Sequence, residues 1–275
     1  MNTTNNLTPF ETLAPLPLPF FQAQCIAYKQ EILTCGGNKT NECYSYHTIR
    51  NQYKLICSYP KDVILHGHCV LDITNNNNKI TLLSFGGLFK HTLIMNYTSV
   101  WNNDKKNEYV NEWIPLKDNN NNTLIYIDKG NYEGARAIIG GSNNYLLFIT
   151  YSPQNISIFN LDTFQYIYNN TFLTEENWIS YHSFISKTEN KNEMILFYKN
   201  TGLIINYNEN NNTLQFHKIS ICDDISLLKR YSCVYVNDDM ILFFGEWNNS
   251  DSSKSVISNI IYQYSLKKKS MDEIE

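Results

Sequence analysis

The sequence predicts an all-β protein built as a β-propeller, a ring of four-stranded antiparallel sheets of which about five are visible. Three observations predict it. Short runs rich in Ile, Leu, Val, Phe, Tyr and Thr recur along the whole chain, separated by Asn runs and Gly, and no long stretch shows the ~3.6-residue period of an amphipathic helix. These runs fall into sets of four, and two sets carry a diglycine, Gly36-Gly37 and Gly86-Gly87, 50 residues apart, a separation that suits one propeller blade. A chain of 275 residues with 43% hydrophobic, 14% aromatic and 17% charged residues also has the apolar surface for a large core, which excludes wholesale disorder.

Taken in order, the first set is Gln24 to Ala27 (strand a), Glu31 to Gly37 (b), Glu42 to His47 (c) and Tyr53 to Cys57 (d). The second repeats the order with His68 to Leu71, Ile80 to Gly87, Thr92 to Tyr97 and Glu112 to Pro115. The third has Arg136 to Ile139, Tyr145 to Thr150, Ile156 to Phe159 and Phe164 to Ile167, and the fourth His182 to Ile185, Met194 to Tyr198, Leu203 to Tyr207 and Leu214 to His217. The fifth offers Cys233 to Val236, Met240 to Gly245 and Asn259 to Tyr264, followed by a charged end, Lys267 to Glu275, without a persuasive fourth strand. The b strands are near-continuous apolar runs, as strands covered on both faces require. Asn75 to Asn78, Asn119 to Asn122 and Asn210 to Asn212 read as expanded loops, because Asn tolerates left-handed turns. The long connection Lys117 to Gly134 has room for a hairpin around Leu124 to Ile127.

An apolar b strand ending in Gly-Gly, a Tyr in strand c and an aromatic in strand d resembles the kelch-repeat propeller family. Gly36, Gly37, Tyr46 and Tyr53 carry the pattern in the first set, and Gly86, Gly87, Tyr97 and Trp113 carry it in the second. The fifth keeps Gly245, followed by Tyr262 or Tyr264, while the third and fourth have Thr150-Tyr151 and Tyr198-Lys199 in place of the diglycine. The resemblance spans residues 10–266, between a tail at 1–9 and a charged tail at 267–275. It implies a ring that is either open or closed by the N-terminal strand, Phe10 to Leu13 completing the last sheet before its proline-rich exit. It also implies a non-catalytic scaffold for protein–protein interaction.

The formal charge of −4 and a pI near 5.9 supply no basic footprint for nucleic acid. The polar start, Met1 to Thr8, has no secretory pattern, and no apolar run reaches the ~18 residues that cross a bilayer. A cytoplasmic protein is expected, without membrane partners. Its seven cysteines, an odd number placed mostly in apolar runs, should then be free thiols.

The chemistry-bearing patterns are weak. His66-Gly67-His68-Cys69 puts two imidazoles on one face of an extended strand, but no second ligand cluster accompanies it, so neither a metal nor a cofactor is expected. Glu175-Glu176, Asp223-Asp224 and Asp238-Asp239 are neighbours facing opposite ways on a strand, which suits solvated turns better than a hydrolytic dyad. Gly140-Gly141-Ser142 lacks the Lys of a phosphate loop.

Shape is the remaining guide, because the d–a and b–c connections of a propeller emerge on one face. The b–c loops bring Lys39, Lys90, His91, Tyr151, Lys199 and Trp247 to it. The d–a loops bring Lys61, His66, Tyr132, Trp178, Tyr181 and Arg230. Cations and aromatics on a concave rim suit a protein or peptide partner with an acidic or extended segment, although the same aromatics could serve as plugs between blades. The rival classes are a carbohydrate-binding propeller and a galactose-oxidase-like or sugar-epimerase-like enzyme. A tight His/Tyr/Cys or Arg/Glu/His cluster at the channel mouth would mark the enzyme.

Overall fold

The computed structural model describes residues 12–74, 80–102, 110–118, 120, 123–172, 178–187, 191–199, 201–219, 231–237, 239–248, 256–268 and 270–274. They form a five-bladed β-propeller. Blade one is β1 (Gln24–Tyr28), β2 (Glu31–Gly37), β3 (Thr40–His47) and β4 (Gln52–Ser58). Blade two is β5 (His68–Asp72), β6 (Ile80–Gly86), β7 (Thr92–Tyr97) and β8 (Ile114–Pro115). Blade three is β9 (Asn131–Gly140), β10 (Leu146–Ser152), β11 (Asn155–Asn160) and β12 (Gln165–Thr171). Blade four is β13 (Ser183–Ser186), β14 (Glu193–Tyr198), β15 (Thr201–Asn208) and β16 (Thr213–Ile219). Blade five is β17 (Ser232–Asn237), β18 (Met240–Asn248), β19 (Val256–Ser265) and β20 (Ser270–Ile274). All pairings within the sheets are antiparallel, and successive inner strands β1, β5, β9, β13 and β17 lie side by side around the axis. No helix of the described residues is long and apolar enough to cross a membrane.

Burial explains which runs were easy to read. The b strand β10 is buried at every position, whereas the outer strands β12 and β16 expose every second residue or more. Among the described residues, buried side chains form four clusters, between blades one and two, two and three, three and four, and four and five. Each large side chain removed from water there contributes about 1.5–3 kcal/mol.

The closure expected from the sequence is corrected. The last sheet is completed by β20, from the segment read as a charged tail, with Ser265 opposite Ser270 and Ile261 opposite Ile274. Lys267 and Lys268 lie in the preceding turn, which Asp239 holds by accepting the Lys267 N–H at 2.6 Å. Thr12 and Leu13 belong to no strand, and Phe10 lies outside the described residues. An outer strand needs little apolar surface, so its polar sequence concealed it. Among the described residues, the long connection between blades two and three contains one isolated bridge, Lys117 to Leu124.

Polar side chains join the blades as well. His68 is fully buried, so it does not line the channel, and its Nε2 donates to the Cys35 carbonyl at 3.2 Å in blade one. His182 reaches back from blade four to Thr150 Oγ1 at 2.6 Å in blade three. The Tyr59 hydroxyl donates to Ser84 Oγ at 3.0 Å, and that oxygen lies 2.8 Å from His91 Nε2. Tyr97 donates to the buried Glu31 carboxylate at 2.5 Å, tying blade two to blade one.

Candidate binding site

The second glycine of each diglycine sets how closely the loops meet. A Cβ at Gly37, with φ of 153°, would sit 2.7 Å from the Phe21 carbonyl oxygen, and one at Gly87, with φ of 85°, would sit 2.8 Å from that of His66. The next residue donates to the same oxygen, Asn38 N–H to Phe21 at 2.7 Å and Leu88 N–H to His66 at 2.9 Å. Each b–c loop is thereby clamped onto the chain entering an inner strand, and only glycine fits that approach.

Four residues at or just before the start of the inner strands share a left-handed backbone, Gln22, Gly67 and Tyr181 ahead of β1, β5 and β13 and Gly134 near the start of β9, with φ of 59°, 66°, 54° and 68°. They form a closed circuit around the mouth of the channel. Tyr181 N–H donates to Gly134 O at 2.7 Å, and Gly134 N–H to Gly67 O at 2.9 Å. Gly67 N–H donates to Gln22 Oε1 at 3.1 Å, and Gln22 Nε2 donates to the Tyr181 hydroxyl at 3.1 Å. Blades one to four thus meet on one ring, although Gln22 and Tyr181 are held in a conformation that side chains disfavour. Gly134→Ala should cost about 2 kcal/mol or more in urea denaturation. Its Cβ would lie 2.8 Å from the Tyr181 backbone nitrogen at a positive φ, and a loss below about 0.5 kcal/mol would contradict the ring's role.

Inside the ring lies a cavity of about 350 Å³ whose walls include Phe21, Gln22, Arg136, Tyr181, Tyr231 and Ser232. Arg136 donates to the carbonyl of its neighbour Ala135 at 3.0 Å, and its guanidinium carbon is 5.9 Å from the Tyr181 ring centroid. The ion pairs among the described residues are His66–Glu133 at 3.6 Å and Lys187–Glu193 at 2.7 Å, so Arg136 has none there. Burial pulls its pKa down. Burial, then the Glu133 carboxylate, push the Tyr181 hydroxyl up to about 12, and that hydroxyl donates to Glu133 Oε1 at 3.3 Å.

Of the residues predicted to form the face, Lys39 and Lys61 come together. Both line a groove of about 960 Å³ with Leu18, Pro19, Phe21 and Tyr59. His66 stands at the channel mouth against Glu133, with Tyr181 beside it. Lys90 is exposed on the rim and donates to the Asp128 carbonyl at 2.8 Å. Lys199 is half-buried, with its Nζ 5.4 Å from the Tyr198 ring centroid. His91, Tyr151 and Tyr132 turn inward. His91 bonds Ser84, while Tyr151 is 7% exposed, bonds Ser157 Oγ at 3.0 Å and packs edge-on against the fully buried Tyr132. These three are plugs, because an aromatic beside a widening joint buries more area inward than outward. Trp247 lies in strand β18 opposite Ile257 instead of in a loop. Gly245 falls at the register shift between Phe244 and Glu246, as Gly36 does between Cys35 and Gly37. Arg230, Cys222, Glu175, Glu176, Asp223, Asp224 and Asp238 lie outside the described residues. The six described cysteines are free thiols.

Of the motif aromatics, Tyr46 and Tyr53 pack on each other with ring centroids 4.8 Å apart, and Trp113 stacks on Tyr59 at 4.7 Å. Sequence reasoning missed Gln22, Arg136 and Tyr231 as wall residues. Only Arg136 left a signal: a cation flanked by Ala135 and Ala137 in a run already assigned to an inner strand.

These features define the class of protein as a five-bladed β-propeller with a loop-lined funnel at one end of its axis. No family model matches the chain, and no curated protein matches it. Among solved structures it is similar to YjhT, with 12% identity and a TM-score of 0.67 over 94% of this chain and 85% of that one. It is also similar to a luciferin-regenerating enzyme, with 8% identity and a TM-score of 0.52 over 90% of this chain and 72% of that one. At such identities the likeness establishes the fold alone.

Proposed function

We propose that this chain is a kelch-type interaction module that receives an acidic, extended peptide segment of a partner protein on its d–a and b–c loop face. The observation that carries the reading is the groove at blade one, where Lys39 and Lys61 flank an apolar wall of Leu18, Pro19 and Phe21. Ile64 and Trp178 are 55% exposed, and Leu88 and Phe89 49%, in loops of the same face, giving it the apolar content of a docking surface. The kelch assignment is supported by recurrence at equivalent positions. Gly37 and Gly87 make the same close approach, and the c-strand tyrosines Tyr46 and Tyr207 each donate to an Asn five residues on, Asn51 at 2.9 Å and Asn212 at 2.7 Å. Both asparagines are left-handed.

Fluorescence polarisation with a labelled library of Asp- and Glu-rich peptides tests the reading. Binding should fall about tenfold or more in the K39E/K61E double variant, since charge reversal converts attraction into repulsion. Equal binding by the variant, or equal binding of Lys-rich control peptides, would count against it.

A second reading, a sugar-epimerising or sugar-oxidising propeller, is favoured by one observation. His66, Glu133, Tyr181 and Arg136 stand together at the funnel, the kind of Arg/Glu/His grouping such chemistry needs. Turnover of free sugars that disappears in Glu133→Gln and persists in K39E/K61E would select it.

A further inference from the structure

We propose that the axial cavity is a binding site for a small, flat organic anion, its charged group held by Arg136 and the Tyr231 hydroxyl and its body lying against the aromatic wall. The site is distinct from the peptide groove, with which it shares Phe21 but neither Lys39 nor Lys61. A guanidinium taken partly out of water is costly unless an anion faces it, and among the described residues no carboxylate pairs with Arg136. The nearby Glu133 is already engaged by His66 and Tyr181.

The second observation is separate. Tyr231 is 8% exposed, lines the same cavity, and its hydroxyl has no partner among the described residues. A buried hydroxyl left unbonded is rare and calls for a ligand or solvent. Both ends of the Gln22 amide and the Tyr181 hydroxyl belong to the circuit, and Gln24 Nε2 donates to the Gln22 and Ala23 carbonyls at 3.4 and 3.3 Å. What remains on the wall is the Arg136 cation, which has no ion pair among the described residues, and the Tyr231 and Ser232 hydroxyls, a set that together selects a negative oxygen. Phe21, Tyr181 and Tyr231 supply flat apolar surface, and a volume of about 350 Å³ falls at the small end of ligand pockets. A carboxylate and a phosphate monoester share this chemistry.

Calorimetric titration of the whole chain with benzoate, phenyl phosphate and neutral benzamide separates these cases. At least one anion should bind, and benzamide should be about tenfold weaker or worse. Benzoate alone identifies a carboxylate site, phenyl phosphate alone a phosphate site, and both a site for either. Arg136→Gln should weaken the anion about tenfold or more while leaving the thermal midpoint unchanged or raised, because it removes an uncompensated charge. Tyr231→Phe, which keeps the ring, should weaken it without loss of stability, whereas K39E/K61E should leave it unaltered. The proposal is overturned if neither anion binds at millimolar concentration, if benzamide binds as well, if both funnel variants bind normally, or if Arg136→Gln lowers the midpoint sharply, the mark of a structural ion pair.

Discussion

Acidification from about pH 7 to about pH 4 should remove several kcal/mol of folding stability, read as a falling urea midpoint. Three histidines cause it. Burial drives the pKa of His68 down to about 3 and that of His91 down to about 4, and holds His182 well below its usual range, with the Arg136 cation adding to the effect on His182. Because these folded values lie below the ordinary ~6.5, the unfolded chain binds more protons as pH falls. Their stabilising effect is therefore intact above about pH 6.5 and is lost progressively as pH drops through about 4 for His91 and about 3 for His68. At about 1.4 kcal/mol per pKa unit, His91 alone accounts for something on the order of 3 kcal/mol.

The geometry shows why protonation has nowhere to go. His68 Nε2 already donates to a carbonyl, and its Nδ1 is buried without a partner. Thr150 donates to the Arg136 carbonyl at 3.2 Å, so His182 Nε2 donates to Thr150, and its Nδ1 is likewise buried and unpartnered. A proton added at either Nδ1 meets no acceptor. His182→Gln should flatten the pH profile. A midpoint constant between pH 7 and pH 4 would refute the assignment, and a loss confined to lower pH would point instead to carboxylates such as Glu209, held low by its hydrogen bonds to Asn192 and Ser142.

Trp113→Ala should cost about 3–5 kcal/mol in the same assay. The indole is 2% exposed, lies nearly parallel to the Tyr59 ring at 16°, and donates from Nε1 to Cys43 Sγ at 3.4 Å. It joins the core between blades one and two, although the strand it precedes, β8, has only two residues. Trp113→Phe keeps much of the stack and should cost about half as much. A loss under about 1 kcal/mol for the Ala variant would mean that the joint closes over the vacated space.

How much could be read in advance depended on burial. Strand β7 runs from Thr92 to Tyr97, as its apolar run predicts, because Leu93, Met95 and Tyr97 bury one face and only Asn96 is exposed on the other. Strand β20 escaped because Ser270, Asp272 and Glu273 carry no apolar signal, and an outer edge demands none. Lys39 and Lys61 were legible as face residues because loop order alone places them there. His91 and Tyr151 also sit by the loops, but the direction of a side chain at a loop edge is set by the neighbouring blade, which no local pattern encodes. The funnel wall is assembled from positions 22, 136, 181 and 231, so its chemistry belongs to the tertiary arrangement and not to any motif.

Every sheet, including the last, is made from consecutive chain. During synthesis each one can therefore be finished as soon as its own fourth segment leaves the ribosome, with no edge waiting for a strand from the far end. Strand pairing stays within each unit, which lets assembly proceed from one unit to the next. The same economy leaves the meeting of the first and fifth sheets without a shared strand, so it is at that seam that the circle can part while each unit keeps its own hydrogen bonds.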